Sequence, residues 1–129
     1  MHIFADIVLS NPSTVEIPAI PVRAMAGTGV SWLCLPGHIA IQLDLQTEST
    51  REVTVADGLL MKVPYAGPVK IVFENRMCFV GALVMGNEVL LGAVPMEDMD
   101  LILQPSLQKV IVNPSSPNFP RAKVKYLEV

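Results

Sequence analysis

Charged residues are scarce in this 129-residue sequence, at 16%, and they leave a net charge of -3. Such a balance excludes the broad basic surface that displaces counterions from nucleic-acid phosphates, so no nucleic-acid partner is expected. Cysteine is almost missing: Cys34 and Cys78 lie far apart in apolar runs, with no Cys-x-x-Cys pair and no Cys/His spacing suited to zinc. They read as small buried hydrophobes rather than a disulfide, and neither a metal nor a cofactor is expected. No apolar run approaches the roughly 18–20 residues that cross a bilayer as a helix, so no membrane partner is expected either. The first residues, MHIFADIVLSNP, lack a basic region and carry Asp6 inside their apolar stretch, which does not read as a signal peptide. A cytoplasmic location is the expectation. The local excess of positive charge, Arg121, Lys123 and Lys125 in RAKVK, is spaced by two and fits the solvated face of a strand.

What is present is apolar and extended. Hydrophobic residues make up 51%, and the length suits one domain over residues 1–129 with a single core. Ile3, Ala5, Ile7 and Leu9 alternate with Phe4, Asp6 and Val8, a period of two that predicts a strand. The prolines of NPSTVEIP break it. Further strands are predicted at about 20–26, 32–35, 69–73, 77–85, 88–91 (EVLL, ended by Gly92), 109–112 and 122–127, the last two flanking the loop NPSSPNFP. Asp57-Gly58, inside REVTVADGLLMKVPY, predicts a hairpin with a tight primed turn at its tip. Pro36 is placed to open a short helix, GHIAIQLDL, with Ile39, Leu43 and Ala40 on one face. Pro95 is placed to open another in PMEDMDLIL, with Glu97 and Asp98 in its first turn. Met25, Met77, Met85, Met96 and Met99 fall in apolar segments and read as core filler.

MAGTGVSWLCLPGHIAIQL and VLLGAVPMEDMDLIL echo one another: apolar strand, glycine turn, proline, short helix. Two such halves suggest a pseudo-twofold barrel, and they direct attention to the glycine turns.

The stretch VRAMAGTGVSWLCLP resembles the active-site segment of the retropepsin-like aspartic peptidases of clan AA, in particular small bacterial and archaeal stand-alone members. TVADG resembles the flap hairpin of that family, EVLLGAVPMEDMDLIL its hydrophobic-hydrophobic-glycine segment and helix, and KVIVNP the strand that follows. The resemblance covers about residues 3–114, with the segments in the family's order. It implies an all-β fold, a closed acid-protease barrel with a flap and one or two short helices. It also implies a homodimer, because each half-sized chain supplies one Asp-Thr-Gly loop, and a peptide or protein ligand held in an extended form. In that family two aspartates share one proton and activate a water.

The motif departs from the family at its chemical centre. Aligning Thr28 and Gly29 with the motif puts Gly27 where the aspartate belongs. Glycine carries no carboxyl group, so the expectation is a site without peptidase activity. Val55, Ala56, Asp57 and Gly58 of the flap, with Trp32 as a wall of the cleft, are the expected ligand-binding residues. No other carboxylate takes the empty role: Asp57 reads as a turn former, Asp98 and Asp100 as capping or dipole partners, Asp44 as surface, and His38 as a solvent-facing residue at a helix start. Two further readings stand beside the inactive homodimer: an aspartic endopeptidase whose Asp has been replaced at position 27, and a β-rich interaction or assembly protein with a vestigial cleft.

Overall fold

The computed structural model describes residues 2–125. Strands β1 (Ile3–Ser10), β2 (Ile20–Ala26) and β3 (Leu33–Leu35) lead into helix α1 (Gly37–Gln42). Strands β4 (Thr47–Thr54), β5 (Leu60–Phe73), β6 (Arg76–Val84) and β7 (Leu90–Leu91) lead into α2 (Ala93–Asp98). Strands β8 (Leu101–Gln104) and β9 (Lys109–Val112) complete the set, separated by a 3-10 turn at Pro105–Leu107. Lateral pairing runs β4-β5-β6-β3-β7-β2-β1-β9-β8, and an added β5–β1 pairing closes six of the strands into a barrel. Among the described residues no helix is long and apolar enough to cross a membrane.

The barrel has an internal twofold pattern. At its centre β3 and β7 pair antiparallel, Leu33 with Leu91 and Cys34 with Leu90. Outside them β3 pairs parallel with β6, and β7 pairs parallel with β2. Exchanging β1, β2, β3 and α1 for β5, β6, β7 and α2 therefore maps the closed strand order onto itself. The echo in sequence is an echo in topology.

Alternation puts the core inside the barrel. Ile3, Ala5, Ile7 and Leu9 of β1 are all buried and meet Val69 and Ile71 of β5, Leu33, Leu35 and Leu91. Fully burying each such side chain is worth about 1.5–3 kcal/mol, which is what holds the strands together before any loop is considered. Ile39, Ala40 and Leu43 of the α1 region are buried, as their spacing predicts, and His38 and Asp44 face solvent. Cys34 and Cys78 are free and buried. Burial pushes both thiols up, that of Cys78 to about 12 with the Asp98 charge adding to the effect.

Several expectations are corrected. The run from Leu60 to Phe73 is one long strand rather than a hairpin arm followed by a separate strand at 69–73, because β5 continues through an irregularity between Ala66 and Val69, where the Gly67–Pro68 peptide is cis. Pro95 does not open the second helix: α2 begins at Ala93, so Glu97 and Asp98 lie in its last turn. The helix stops sooner than the periodicity suggests, since Asp100 adopts a left-handed conformation (φ 55°) and turns the chain into β8. Leu101–Gln104 is thus a strand paired with β9, and β9 is not the first strand after the helix. Residues 122–125, with Arg121 before them, form no strand, while 126 and 127 lie outside the described residues. Met96 and Met99 are core residues, but Met77 is 40% exposed on the outer face of β6, and Met25 and Met85 are only half-buried.

Candidate functional site

The Gly27–Gly29 turn is held at both of its ends by the β7–α2 segment. Before the turn, the Met25 N–H donates to Val89 O (2.9 Å) and the Gly27 N–H to Leu91 O (3.3 Å). After it, the N–H groups of Gly92, Ala93 and Val94 donate to the carbonyls of Trp32 (3.0 Å), Val30 (2.8 Å) and Ser31 (2.8 Å). Helix N-termini leave such donors without partners, and here the chain just past the turn supplies the acceptors. The approach is close enough to exclude a side chain: a Cβ on Gly92 would fall on the carbonyl oxygens of Trp32 and Val30.

Gly27 itself has room. Nothing lies within 4 Å of where its Cβ would be, and its φ is outside the left-handed region. Thr28 and Gly29 are exposed.

The hairpin expected as a flap is the β4–β5 hairpin. Its register runs from Thr47 opposite Ala66 to Thr54 opposite Leu60. At the tip the Val55 N–H donates to Leu59 O (3.0 Å) and the Gly58 N–H to Val55 O (2.8 Å). Of the two central tip residues only Gly58 has positive φ (86°), so the turn is a three-residue loop with a left-handed glycine rather than the predicted primed turn. Asp57 accepts from the Leu59 N–H through Oδ1 (2.9 Å), which is the turn-forming role expected of it.

Between flap and turn lies a cleft of about 620 Å³. Gly29, Trp32, Val55 and Ala56 line it together, and Cys34, Leu83, Met85 and Leu90 supply most of its apolar floor. The other expected residues separate. Asp57 and Gly58 sit at the exposed tip outside the cleft, and Thr28 lines a different groove with Glu97, Asp100 and Ile102. Gly27 belongs to the wall of neither.

Among the described residues Glu52 on β4 is the carboxylate that lines the cleft, and Glu97 and Asp100 line the groove of Thr28. Asp100 shares the groove of Thr28 but is fully engaged: it accepts from Ser116 Oγ, from the Arg121 N–H (3.0 Å) and from Asn113 Nδ2 (3.1 Å). These bonds hold its carboxyl down at about 2, so that it stays ionised at neutral pH. Its expected capping role is replaced by an anchoring one. Asp98 lies at the end of α2 beside Cys78. Among the described residues no three His, Cys, Asp or Glu side chains gather in a way that would hold a metal.

Sequence reasoning missed two arginines. The Arg51 guanidinium stands 4.0 Å from the ring centroid of Tyr65 and 5.4 Å from that of Trp32. Arg51 pairs with Val63, so Tyr65 is its diagonal neighbour across the hairpin, a relation that follows once the tip is located. Arg76 is 1% exposed and donates through Nη2 to Ser116 O, while its Nε and Nη1 make no hydrogen bond among the described residues. An arginine beside the Glu-Asn turn reads as surface, and only the folding of residues 113–117 over it makes it interior.

No protein-family model matches the chain, and no curated protein matches it.

Proposed function

We propose that this chain is a retropepsin-like domain that acts as a homodimer and binds extended peptides without cutting them. The observation that carries the reading is the cleft itself: Val55 and Ala56 of the hairpin tip face Gly29, the last residue of the glycine turn, and Trp32 beyond it. The apolar floor suits side chains of an extended segment, and the flap offers backbone for strand addition. Glycine at position 27 gives the attacking water nothing to transfer its proton to, so binding is separated from hydrolysis.

The test is to restore the acid. Gly27→Asp meets no steric obstacle, so the variant folds with a stability within about 1 kcal/mol of the parent. In a homodimer it places one new carboxyl from each chain. Cleavage of a peptide library at roughly pH 4–6, where such a pair holds one proton, is expected from the variant and not from the parent. Peptide cleavage by the parent would show that the chemistry lies elsewhere. A restored variant that neither cuts nor binds would favour an assembly protein with a vestigial cleft, a reading that the exposed Phe79 and Met77 on the barrel's outer face also serve.

A further inference from the structure

We propose that Arg51 is a positioning residue of the cleft, fixing the ring of Trp32 and the flap strand in one arrangement against which an apolar extended segment docks. The inference deepens the peptide-binding reading and rests on it for the ligand, but the arrangement of the residues is independent of it.

The three side chains come from separate parts of the barrel. Arg51 lies on β4, Tyr65 on β5, and Trp32 immediately before β3. Both rings lie within the roughly 6 Å over which a guanidinium is attracted to an aromatic face. Tyr65 is also packed on β6, because its ring lies so close to the α-carbon of Gly81 that a Cβ there would overlap it. The Trp32 backbone is fixed through the Gly92 N–H, but the residue as a whole is 39% exposed. Arg51 thus ties an anchored ring to an unanchored one. It also ties the flap to the residue that follows the turn, so the width of the cleft depends on it. The walls this sets are apolar at Trp32, Val53 and Val55 over Leu83, Met85 and Leu90, with Ser31, Glu52 and Thr54 as the polar part of the lining, which suits a segment that alternates apolar and polar side chains. Planarity matters here: a guanidinium can lie against both rings, whereas an ammonium is a compact, strongly hydrated point charge.

Trp32 is the sole tryptophan, so its emission reports on this place alone. Acrylamide quenching of the free protein is compared for the parent, Arg51→Lys and Arg51→Met. The same proteins are then titrated with an octapeptide of alternating threonine and leucine. The quenching constant is expected to rise about twofold in both variants, and octapeptide affinity to fall about fivefold in Arg51→Met, with circular dichroism and the thermal midpoint little changed. Arg51 is half-exposed on an outer strand, and the lysine variant keeps the charge and stem if the methionine variant folds poorly. Equal quenching in all three proteins overturns the positioning role, whatever the peptide does. Measurable and equal octapeptide affinity in parent and Arg51→Met overturns it as well. A parent that ignores the octapeptide while quenching still separates the variants upholds Arg51 as the anchor of Trp32 and counts instead against the peptide-binding reading.

Discussion

Gly92 and Gly27 sit on the same pair of crossing segments and carry opposite constraints. At Gly92 a methyl group would strike backbone carbonyls, which cannot rotate away. Gly92→Ala is therefore expected to destabilise by about 3 kcal/mol, read as a shift of the urea midpoint at constant slope. At Gly27 the same addition meets open space, so a side chain there is expected to cost little stability. Arg76 offers another contrast. Its charge is buried with one hydrogen-bond partner among the described residues, so Arg76→Met, which keeps the volume and removes the charge, is expected to lie within about 1 kcal/mol of the parent. Arg76→Ala, which leaves a cavity, is expected to cost about 3 kcal/mol by the same denaturation measurement. Of these positions Gly27 was legible as part of a glycine turn between two strands. Gly92 was visible as a turn but not as a contact, because the carbonyls it must clear belong to residues about sixty positions earlier in the chain.

The segment after β9 is attached by side chains instead of by a ladder. Asp100 receives Asn113, Ser116 and the Arg121 N–H, and Asn75 Nδ2 donates to Pro117 O (2.9 Å). Because the carboxyl is held at about 2 in the folded chain, below the ordinary value near 4 it has when unfolded, its ionised form is favoured by folding. That contribution is complete above about pH 4 and is lost as pH falls toward 2. Hydrogen exchange is expected to show Ser115 and Arg121 amides losing protection across that window, before the barrel amides do, and Asp100→Asn is expected to loosen the same segment at neutral pH. Alternation and Asp-Gly chemistry made the barrel strands and the flap legible beforehand. The end of α2 and the course of residues 113–125 were not legible, because one is decided by a left-handed Asp100 and the other by partners contributed by the β5–β6 turn.

At the scale of the whole molecule the pseudo-twofold barrel presents the Gly27–Gly29 turn and the β8 edge on neighbouring surfaces, since Thr28 and Ile102 line one groove. If two copies complete one site, sedimentation at micromolar concentration is expected to give twice the 14.0 kDa chain mass. A strictly monomeric boundary would remove the homodimer from the proposed function. Local pattern determined most strands of the barrel, the position of the β4–β5 hairpin and the burial of both cysteines, since each follows from residue type or from a period of two. The tertiary structure decided that Trp32, Val55 and Ala56 share a cleft while Thr28 and Asp57 do not, that Arg51 reaches both rings, and that Arg76 is interior. Those facts depend on barrel closure and on which distant segments cross, and no local spacing encodes a distance between strands that meet only when the sheet closes.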